Sequence, residues 1–301
     1  MIRPIIAGIT LALLITTLVI SKTNLTYLEF FNKRAKVQSA KSLTVLYPIA
    51  KESQTDPPEI SARSATVIDL KTGTTLFEKN PKLKHLPAST TKLMTALISL
   101  EKCTQETVIT VGDFPKIGNL MDLEVGDQIT VKNLIYGLLI KSGNDAAYVL
   151  ANSCSSSYQD FITQMNEKAK SLEMLETHFV NPAGFDNEFQ FSTAQDLTKL
   201  AKVAITNPLI SKIVATKSTV VTDVSGNKAY YLENVNELLG EIPGLEGVKT
   251  GQTNGSLEIL ITKTTRDGNS IIIALLGSKD RFEESKQLIE WTFGNYRWVG
   301  T

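Results

Sequence analysis

The sequence predicts an α+β domain in which both ends of the domain contribute strands to one antiparallel sheet and helices lie between them. Three observations support this. Strand-like runs flank a turn near residue 70, helical periodicity dominates from 89 to 205, and strand-like runs return between 216 and 277. Hydrophobic residues make up 42% of the 301 residues and charged residues 21%, a balance typical of a folded chain.

The elements follow in order along the chain. Residues 64–70 and 74–79 flank the turn Lys71-Thr72-Gly73, a pattern that predicts a β-hairpin. A helix is predicted over 89–103, where apolar residues recur at helical spacing, and more helices are predicted at 132–141, 145–153, 158–171 and 194–205. The remaining strands are predicted at 216–224, 229–234, 246–251, 256–264 and 270–277, with a final helix at 280–293.

The N-terminal segment, residues 1–21, differs from the rest of the chain. No charged side chain occurs between Pro4 and Ser21, and the run is long enough to reach roughly 24–27 Å as a helix, close to the thickness of a bilayer core. It is either a retained signal-anchor in the cytoplasmic membrane or a cleaved signal peptide. Because no small-residue cleavage site follows directly, the retained anchor is favoured. Residues 22–59 are expected to form a juxtamembrane stalk, and 60–301 the compact domain.

Composition argues against several classes of function. Lys and Arg together number 31, and Asp and Glu together also number 31. The chain therefore lacks the basic excess of a nucleic-acid-binding protein. Two histidines and two cysteines argue against a zinc site. The sequence also lacks His-Glu-x-x-His, a phosphate-binding loop and a dinucleotide fingerprint. Metalloproteases, nucleotide hydrolases and dinucleotide-dependent oxidoreductases are therefore disfavoured.

A Ser-x-x-Lys pattern occurs three times, at Ser89/Lys92, Ser99/Lys102 and Ser225/Lys228. Only Ser89 opens a predicted helix, where positions i and i+3 share a face, so the Lys92 amine can reach the Ser89 hydroxyl. The helix N-terminus and burial both disfavour a protonated lysine, and a neutral lysine can accept the serine proton. The alternative is a helix cap beside a surface lysine.

Two further motifs carry polar groups suited to a substrate. Ser142-Gly143-Asn144 lies in a short loop between two predicted helices, whereas a second Ser-Gly-Asn, at 225–227, lies in a hairpin turn. Lys249-Thr250-Gly251 ends a short strand-like run, and Lys71-Thr72-Gly73 is the turn already assigned. A lysine and a hydroxyl on a strand edge can hold a carboxylate, and Gly251 allows a ligand to approach the backbone.

In this order the three motifs resemble the active-site triplet of penicillin-recognising serine acyl-transferases. Their flanks closely resemble the low-molecular-mass D-alanyl-D-alanine carboxypeptidases from about Ser61 to Trp291: PASTTKLMTALISLE, IKSGNDAAYVLA, NPAGFDNEFQFSTAQDLTKLA and EGVKTGQT. The resemblance implies a β-lactamase/transpeptidase-like fold, with an antiparallel sheet flanked by helices, an inserted helical subdomain and a cleft between them.

The resemblance also implies a role for each motif residue. Ser89 is the acylated nucleophile and Lys92 its base, so neither a metal nor an organic cofactor is expected. Ser142 passes a proton to the departing D-alanine, and Asn144 orients the substrate backbone and Lys92.

The substrate's terminal carboxylate is expected at Lys249 and Thr250, with Gly251 leaving space beside them. The backbone N–H groups of Ser89 and Gln252 are expected to form the oxyanion hole. Arg281 aligns with an arginine that contacts the substrate carboxylate in family members; the alternative is a surface arginine that precedes a helix.

The activity implied by the resemblance is removal of the terminal D-alanine from peptidoglycan pentapeptide stems, outside a membrane contacted through residues 4–21. β-Lactams are expected to act as slow inhibitors, because no convincing Glu-x-x-Leu-Asn loop for deacylation occurs in the sequence. The alternatives are a D,D-endopeptidase with the same site, a non-catalytic wall-binding module and motifs that match by coincidence.

Cys103 and Cys154 each fall near the far end of a helix predicted to start at the cleft. In an exported protein two such cysteines can form a disulfide, provided that their Cα atoms lie within about 7 Å. The alternative is a pair of separate buried thiols.

Overall fold

A computed structural model describes residues 22–23 and 46–300 of the chain. The predicted membrane segment at 1–21 lies outside these residues, as does the predicted stalk from 24 to 45. Within the two described ranges, no helix is long and apolar enough to cross a membrane. The elements discussed below belong to the unit Leu46–Val299, apart from the last strand, which ends at Gly300.

Eleven strands and seven α-helices are described within 46–300. The strands are β1 (Leu46–Ala50), β2 (Ser64–Asp69), β3 (Thr75–Lys79), β4 (Val108–Thr110), β5 (Gln128–Thr130), β6 (Ser218–Thr222), β7 (Ala229–Glu233), β8 (Leu245–Thr253), β9 (Leu257–Arg266), β10 (Asn269–Ser278) and β11 (Tyr296–Gly300). The helices are α1 (Lys92–Lys102), α2 (Val131–Leu139), α3 (Asn144–Ser153), α4 (Tyr158–Ser171), α5 (Ala194–Ala204), α6 (Pro208–Val214) and α7 (Arg281–Asn295). A 3-10 turn, Ala88–Thr91, precedes α1.

The main sheet is antiparallel and has the strand order β3-β2-β10-β9-β8. Strands from both ends of the domain therefore share one sheet, as the sequence predicts. Both faces of the sheet are covered by other parts of the domain. Successive side chains of β10 point to opposite faces and therefore show what packs on each. Ile272 packs into the core of the helical lobe, on the face that α5 contacts. Ile271 and Ile273 pack on the other face with Leu288 and Ile289 of α7.

The helical lobe occupies the chain between β3 and β8, and it carries two hairpins of its own. Strands β6 and β7 form a two-stranded sheet separate from the main sheet, and so do β4 and β5. The β6–β7 hairpin packs on the helical lobe because three of its side chains are buried in the core of the lobe: Val221, Tyr230 and Leu232. Sequence periodicity missed α6 and the three-residue strands β4 and β5, which are too short to show a pattern.

Within the described residues one compact unit extends from Leu46 to Val299, so residues 46–59, predicted to belong to the stalk, are part of that unit. Strand β1 pairs with β11, and Lys51 N donates a hydrogen bond to Asn295 O over 2.8 Å. Thr55 N donates to Asn295 Oδ1 over 2.6 Å, and Thr55 O accepts from Trp291 Nε1 over 3.0 Å. The prediction of a stalk rests on a polar composition that cannot form a core. The segment instead makes hydrogen bonds with the end of α7.

Candidate active site

Ser89 lies in the 3-10 turn that leads into α1, one residue inside the start of that turn. Its side chain is half-buried, and its hydroxyl accepts a hydrogen bond from Lys92 Nζ over 2.9 Å. The shared face expected for positions i and i+3 is therefore present. Ala88, just before it, is buried and has a φ of 46°, so the turn presents Ser89 through an uncommon backbone conformation.

Lys92 is fully buried, which excludes the surface lysine of the alternative interpretation. Besides Ser89, its amine reaches Asn144 Oδ1 and the backbone oxygen of Ala183, both over 2.7 Å. Burial first, and then the charge of Lys249, lower the pKa of Lys92 well below its ordinary value, against the opposing effect of Asp145. A neutral amine can donate to the two oxygens of Asn144 and Ala183, and its lone pair then faces the Ser89 hydroxyl.

Ser142 and Lys249 form a second buried pair across the cleft. Lys249 Nζ donates to Ser142 Oγ over 2.9 Å and to Thr250 O over 3.1 Å. Burial and, to a smaller extent, the charge of Arg281 lower the pKa of Lys249 to about 7. Near neutral pH the Lys249–Ser142 pair can therefore both hold and release a proton.

Asn144 is the first residue of α3, and both the oxygen and the nitrogen of its side-chain amide form hydrogen bonds. Its Oδ1 accepts from Lys92, and its Nδ2 donates to Ile117 O over 2.7 Å. The backbone N–H of Asn144 also donates to Asn119 O over 2.8 Å. Residues 117–119 thus hold the amide in one orientation, a role that sequence analysis did not assign to them.

Strand β8 is one of the two edge strands of the main sheet, and it runs beside the 3-10 turn of Ser89. A methyl group added at Gly251 would lie 3.1 Å from Ala88 Cβ, so the two segments approach closely. Arg281, at the start of α7, is 7% exposed, and its Nη1 donates to Gly251 O over 3.2 Å and to Gln252 Oε1 over 3.3 Å. The interpretation of Arg281 as a surface residue is therefore wrong.

These groups meet at one cleft of about 590 Å³ between the sheet and the helical lobe. Ser89, Asn144 and Gln252 line it, together with residues 117–119, 183–186 and 253–254. The buried amine of Lys92 contacts two of these lining residues, Ser89 and Asn144. Lys249 belongs to the same strand as the lining residue Gln252. The arrangement places a serine hydroxyl, a buried amine with a lowered pKa and the amide of Asn144 at one cleft of substrate size.

The sequence profile of the peptidase S11 family, described as D-alanyl-D-alanine carboxypeptidase, matches residues 51–280, more than half of the chain. The chain belongs to this family. Its D-alanyl-D-alanine carboxypeptidase relative DacF of Bacillus subtilis is 33% identical over 251 residues, which are 78% of this chain and 63% of DacF. The chain therefore spans less than two thirds of that relative's length.

Two other relatives bear on the same site. The D-alanyl-D-alanine endopeptidase of Escherichia coli is 30% identical over 242 residues, which cover 78% of each chain. The crystal structure of the Streptomyces K15 DD-transpeptidase is 31% identical and covers 80% of this chain and 100% of its own, with a TM-score of 0.75. The predicted β-lactamase/transpeptidase-like fold is confirmed.

The other copies of each motif lie away from this peptidase S11 site. Lys71-Thr72-Gly73 lies between β2 and β3, and residues 225–228 lie between β6 and β7. Ser99 is buried within α1, where its hydroxyl donates to Thr95 O over 2.8 Å. The site is formed by one copy of each motif: Ser89/Lys92, Ser142-Gly143-Asn144 and Lys249-Thr250-Gly251.

The loop at 181–190 contributes to the site, although sequence analysis assigned its residues no role. Asn181 Oδ1 accepts from Gly184 N over 2.8 Å and from Phe185 N over 3.0 Å, which shapes the loop and directs Ala183 O at Lys92. Gly184 has a φ of +91°, and a methyl group there would collide with the backbone oxygen of Ala88. Only glycine allows this contact with the nucleophile's turn. The sequence signal was the glycine of the NPAGFD segment, which lies among the four consecutive cleft residues 183–186.

The structure contains a disulfide between Cys103 and Cys154, whose Cα atoms lie 5.6 Å apart. The two cysteines follow the last residues of α1 and α3. The disulfide therefore joins the far ends of two helices that begin at Lys92 and Asn144, and the alternative of two separate thiols is wrong.

Proposed function

We propose that this chain is a serine-type D-Ala-D-Ala carboxypeptidase that removes the terminal D-alanine of peptidoglycan pentapeptide stems. The observation that carries the proposal is the position of Lys92, which is buried, has a lowered pKa and lies 2.9 Å from Ser89 Oγ. This is the geometry of a nucleophile activated by an adjacent base.

In the acylation step Ser89 Oγ attacks the carbonyl carbon of the penultimate D-alanine, and neutral Lys92 accepts the hydroxyl proton. The backbone N–H groups of Ser89 and Gln252 stabilise the oxyanion. The proton then passes through Ser142 to the amine of the terminal D-alanine as the peptide bond breaks. Water attacks the ester in the second step, with Lys92 again accepting a proton, and releases the shortened stem and free Ser89.

The carboxylate of the terminal D-alanine binds at Lys249 and Thr250, with Arg281 behind them. A bound carboxylate favours the protonated form of Lys249, whose pKa of about 7 leaves it partly neutral in the free enzyme. Arg281 keeps its charge and also holds Gly251 O and the Gln252 side chain. The site is thus prepared for a substrate with a free C-terminus.

A D,D-endopeptidase is the second candidate, and it uses the same residues. The similarity to the endopeptidase relative from Escherichia coli supports it. The two activities differ in the leaving group, a single D-alanine in one case and the side chain of a second stem in the other. A penicillin-binding module without catalysis is a weaker candidate, because every polar group of the three motifs is present.

We also propose that the protein acts outside the cytoplasmic membrane, retained there by residues 4–21, or secreted if this segment is cleaved. The support is the uncharged run of the sequence and the location of the proposed substrate. β-Lactams, which resemble the acyl-D-alanyl-D-alanine end of the stem, are expected to acylate Ser89 and to be released slowly.

The decisive experiment uses the full chain and its Ser89→Ala variant with a pentapeptide stem and with a crosslinked muropeptide dimer. Mass spectrometry follows both substrates. Loss of one alanine from the pentapeptide, abolished by Ser89→Ala, would establish the carboxypeptidase. Cleavage of the dimer alone would establish the endopeptidase, and no change in either substrate would overturn both in favour of a binding module.

A further inference from the structure

Strand β8 determines the direction in which a stem peptide lies in the cleft. It is one of the two edge strands of the sheet, and among the described residues no strand pairs with its free edge. A substrate with its C-terminal carboxylate at Thr250 and its scissile carbonyl at Gln252 must run antiparallel to β8. The stem residues that precede the two D-alanines therefore pass Thr253 and Asn254, which line the same cleft.

Asp186 lies at this end of the cleft, and two hydrogen bonds hold its carboxylate there. Asp186 Oδ1 accepts from Thr253 Oγ1 over 2.6 Å, and Oδ2 accepts from Gly255 N over 3.1 Å. A methyl group at Gly255 would lie 2.8 Å from Asp186 Oδ2 and 2.6 Å from Leu86 Cδ1. The glycine therefore allows the loop of the helical lobe to reach the turn between β8 and β9.

The charge of Asp186 is uncompensated in the described part of the chain. No described lysine or arginine forms an ion pair with it, and it is exposed to solvent. Among the described residues that line the cleft, Asp186 is the one with a charged side chain. A negative charge at this position attracts a cationic group of the substrate, and the effect is expected to weaken with salt.

We propose that Asp186 is a specificity-determining residue that selects stems with a free amine on the side chain of the residue before D-Ala-D-Ala. This inference rests on the proposed carboxypeptidase activity and adds the substrate class. Stems in which that amine has been acylated are then poorer substrates. The Asp186 carboxylate contacts the ammonium group and takes no part in the bond-breaking steps.

The test compares two tripeptides that differ only in this amine: Nα-acetyl-L-Lys-D-Ala-D-Ala and its Nα,Nε-diacetyl analogue. The wild-type full chain is expected to favour the free amine in kcat/KM by about two- to fivefold, the range of an exposed ion pair. The preference is expected to shrink when sodium chloride rises from about 0.05 M to about 0.5 M. This wild-type comparison needs no variant that might disturb the fold.

The variant Asp186→Asn is expected to bring the ratio of the two kcat/KM values close to one. Glu188→Gln is the matched control, because Glu188 is exposed on the same loop, carries the same charge and does not line the cleft. It is expected to keep the preference. Thermal unfolding of each variant shows whether it is folded.

Equal kcat/KM values for the two peptides in the wild type would overturn the inference and leave the carboxypeptidase proposal standing. An unchanged preference in folded Asp186→Asn would do the same. If the wild type hydrolysed neither tripeptide nor the pentapeptide stem, the carboxypeptidase proposal would fail, and this inference would fail with it.

Discussion

Lys92 and Asn144 lie 52 residues apart in sequence, and Lys92 Nζ donates a hydrogen bond to Asn144 Oδ1 over 2.7 Å. The helices that begin at these residues, α1 and α3, end next to Cys103 and Cys154, which form a disulfide. The helix pair is therefore joined at both ends, once by the polar contact in the cleft and once by a covalent bond away from it. The position of the Lys92 amine therefore depends on contacts between two helices that are distant in sequence.

Removing the base tests the role of Lys92. Lys92→Ala is expected to slow acylation by a fluorescent penicillin by about 10²- to 10⁴-fold, the range for loss of general base catalysis. Lys102→Ala is the control, because Lys102 belongs to the second Ser-x-x-Lys and is exposed at the end of α1. Equal acylation rates in Lys92→Ala and the wild type would contradict the assignment.

The pH dependence of substrate binding reports on Lys249. Its pKa of about 7 lies below the ordinary lysine value, so the protonated form that pairs with a carboxylate is lost as pH rises through about 7. We expect KM for a D-Ala-D-Ala peptide to increase over this interval, with a smaller effect on kcat, because bound carboxylate raises the pKa of Lys249 in the complex. Steady-state kinetics between about pH 6 and pH 9 measure this, and a KM that stays constant would count against it.

The disulfide is expected to stabilise the folded domain. Replacing both cysteines by serine, Cys103→Ser with Cys154→Ser, is expected to lower the free energy of unfolding by about 2–4 kcal/mol, since the bond closes a long loop in the unfolded chain. Urea unfolding measures the loss. A reducing agent should destabilise the wild type to a similar extent and leave the double variant unchanged; equal sensitivity of both proteins would show that the effect has another origin.

Gly184→Ala tests the contact between the 181–190 loop and the nucleophile's turn. The new methyl group would collide with Ala88 O, so the loop must move, and the carbonyl of Ala183 would withdraw from Lys92. We expect acylation by a fluorescent penicillin to slow by at least about tenfold, because small displacements at a reacting group are costly. Stopped-flow fluorescence measures the rate.

Gly226→Ala is the matched control for that substitution. Gly226 also has a positive φ, +76°, but a methyl group there meets nothing within 4 Å. Both variants therefore carry the same kind of backbone strain, and only Gly184→Ala adds the collision. Acylation by a fluorescent penicillin should remain near the wild-type rate in Gly226→Ala. Equal rates in the two variants would show that the contact with Ala88 has no effect on the site.

Short-range patterns in the sequence were sufficient for much of this protein. The Ser89/Lys92 pair follows from the spacing of one helical turn, and the hairpin around Gly73 follows from its turn residues. Most helices and the strands of the main sheet could be placed for the same reason, since 3.6-residue and two-residue periodicities are local properties. The order of the three motifs, together with the segments that flank them, was enough to indicate the family.

Tertiary structure decided what depends on contacts between distant residues. The pairing of Lys249 with Ser142, 107 residues away, and the approach of Ala183 O to Lys92, 91 residues away, have no local signature. The same applies to the inclusion of residues 46–59 in the compact unit and to the burial of Arg281. Local propensity reports only on neighbours within a turn or a strand. Which segments meet in the cleft depends on how the sheet and the helical lobe pack together.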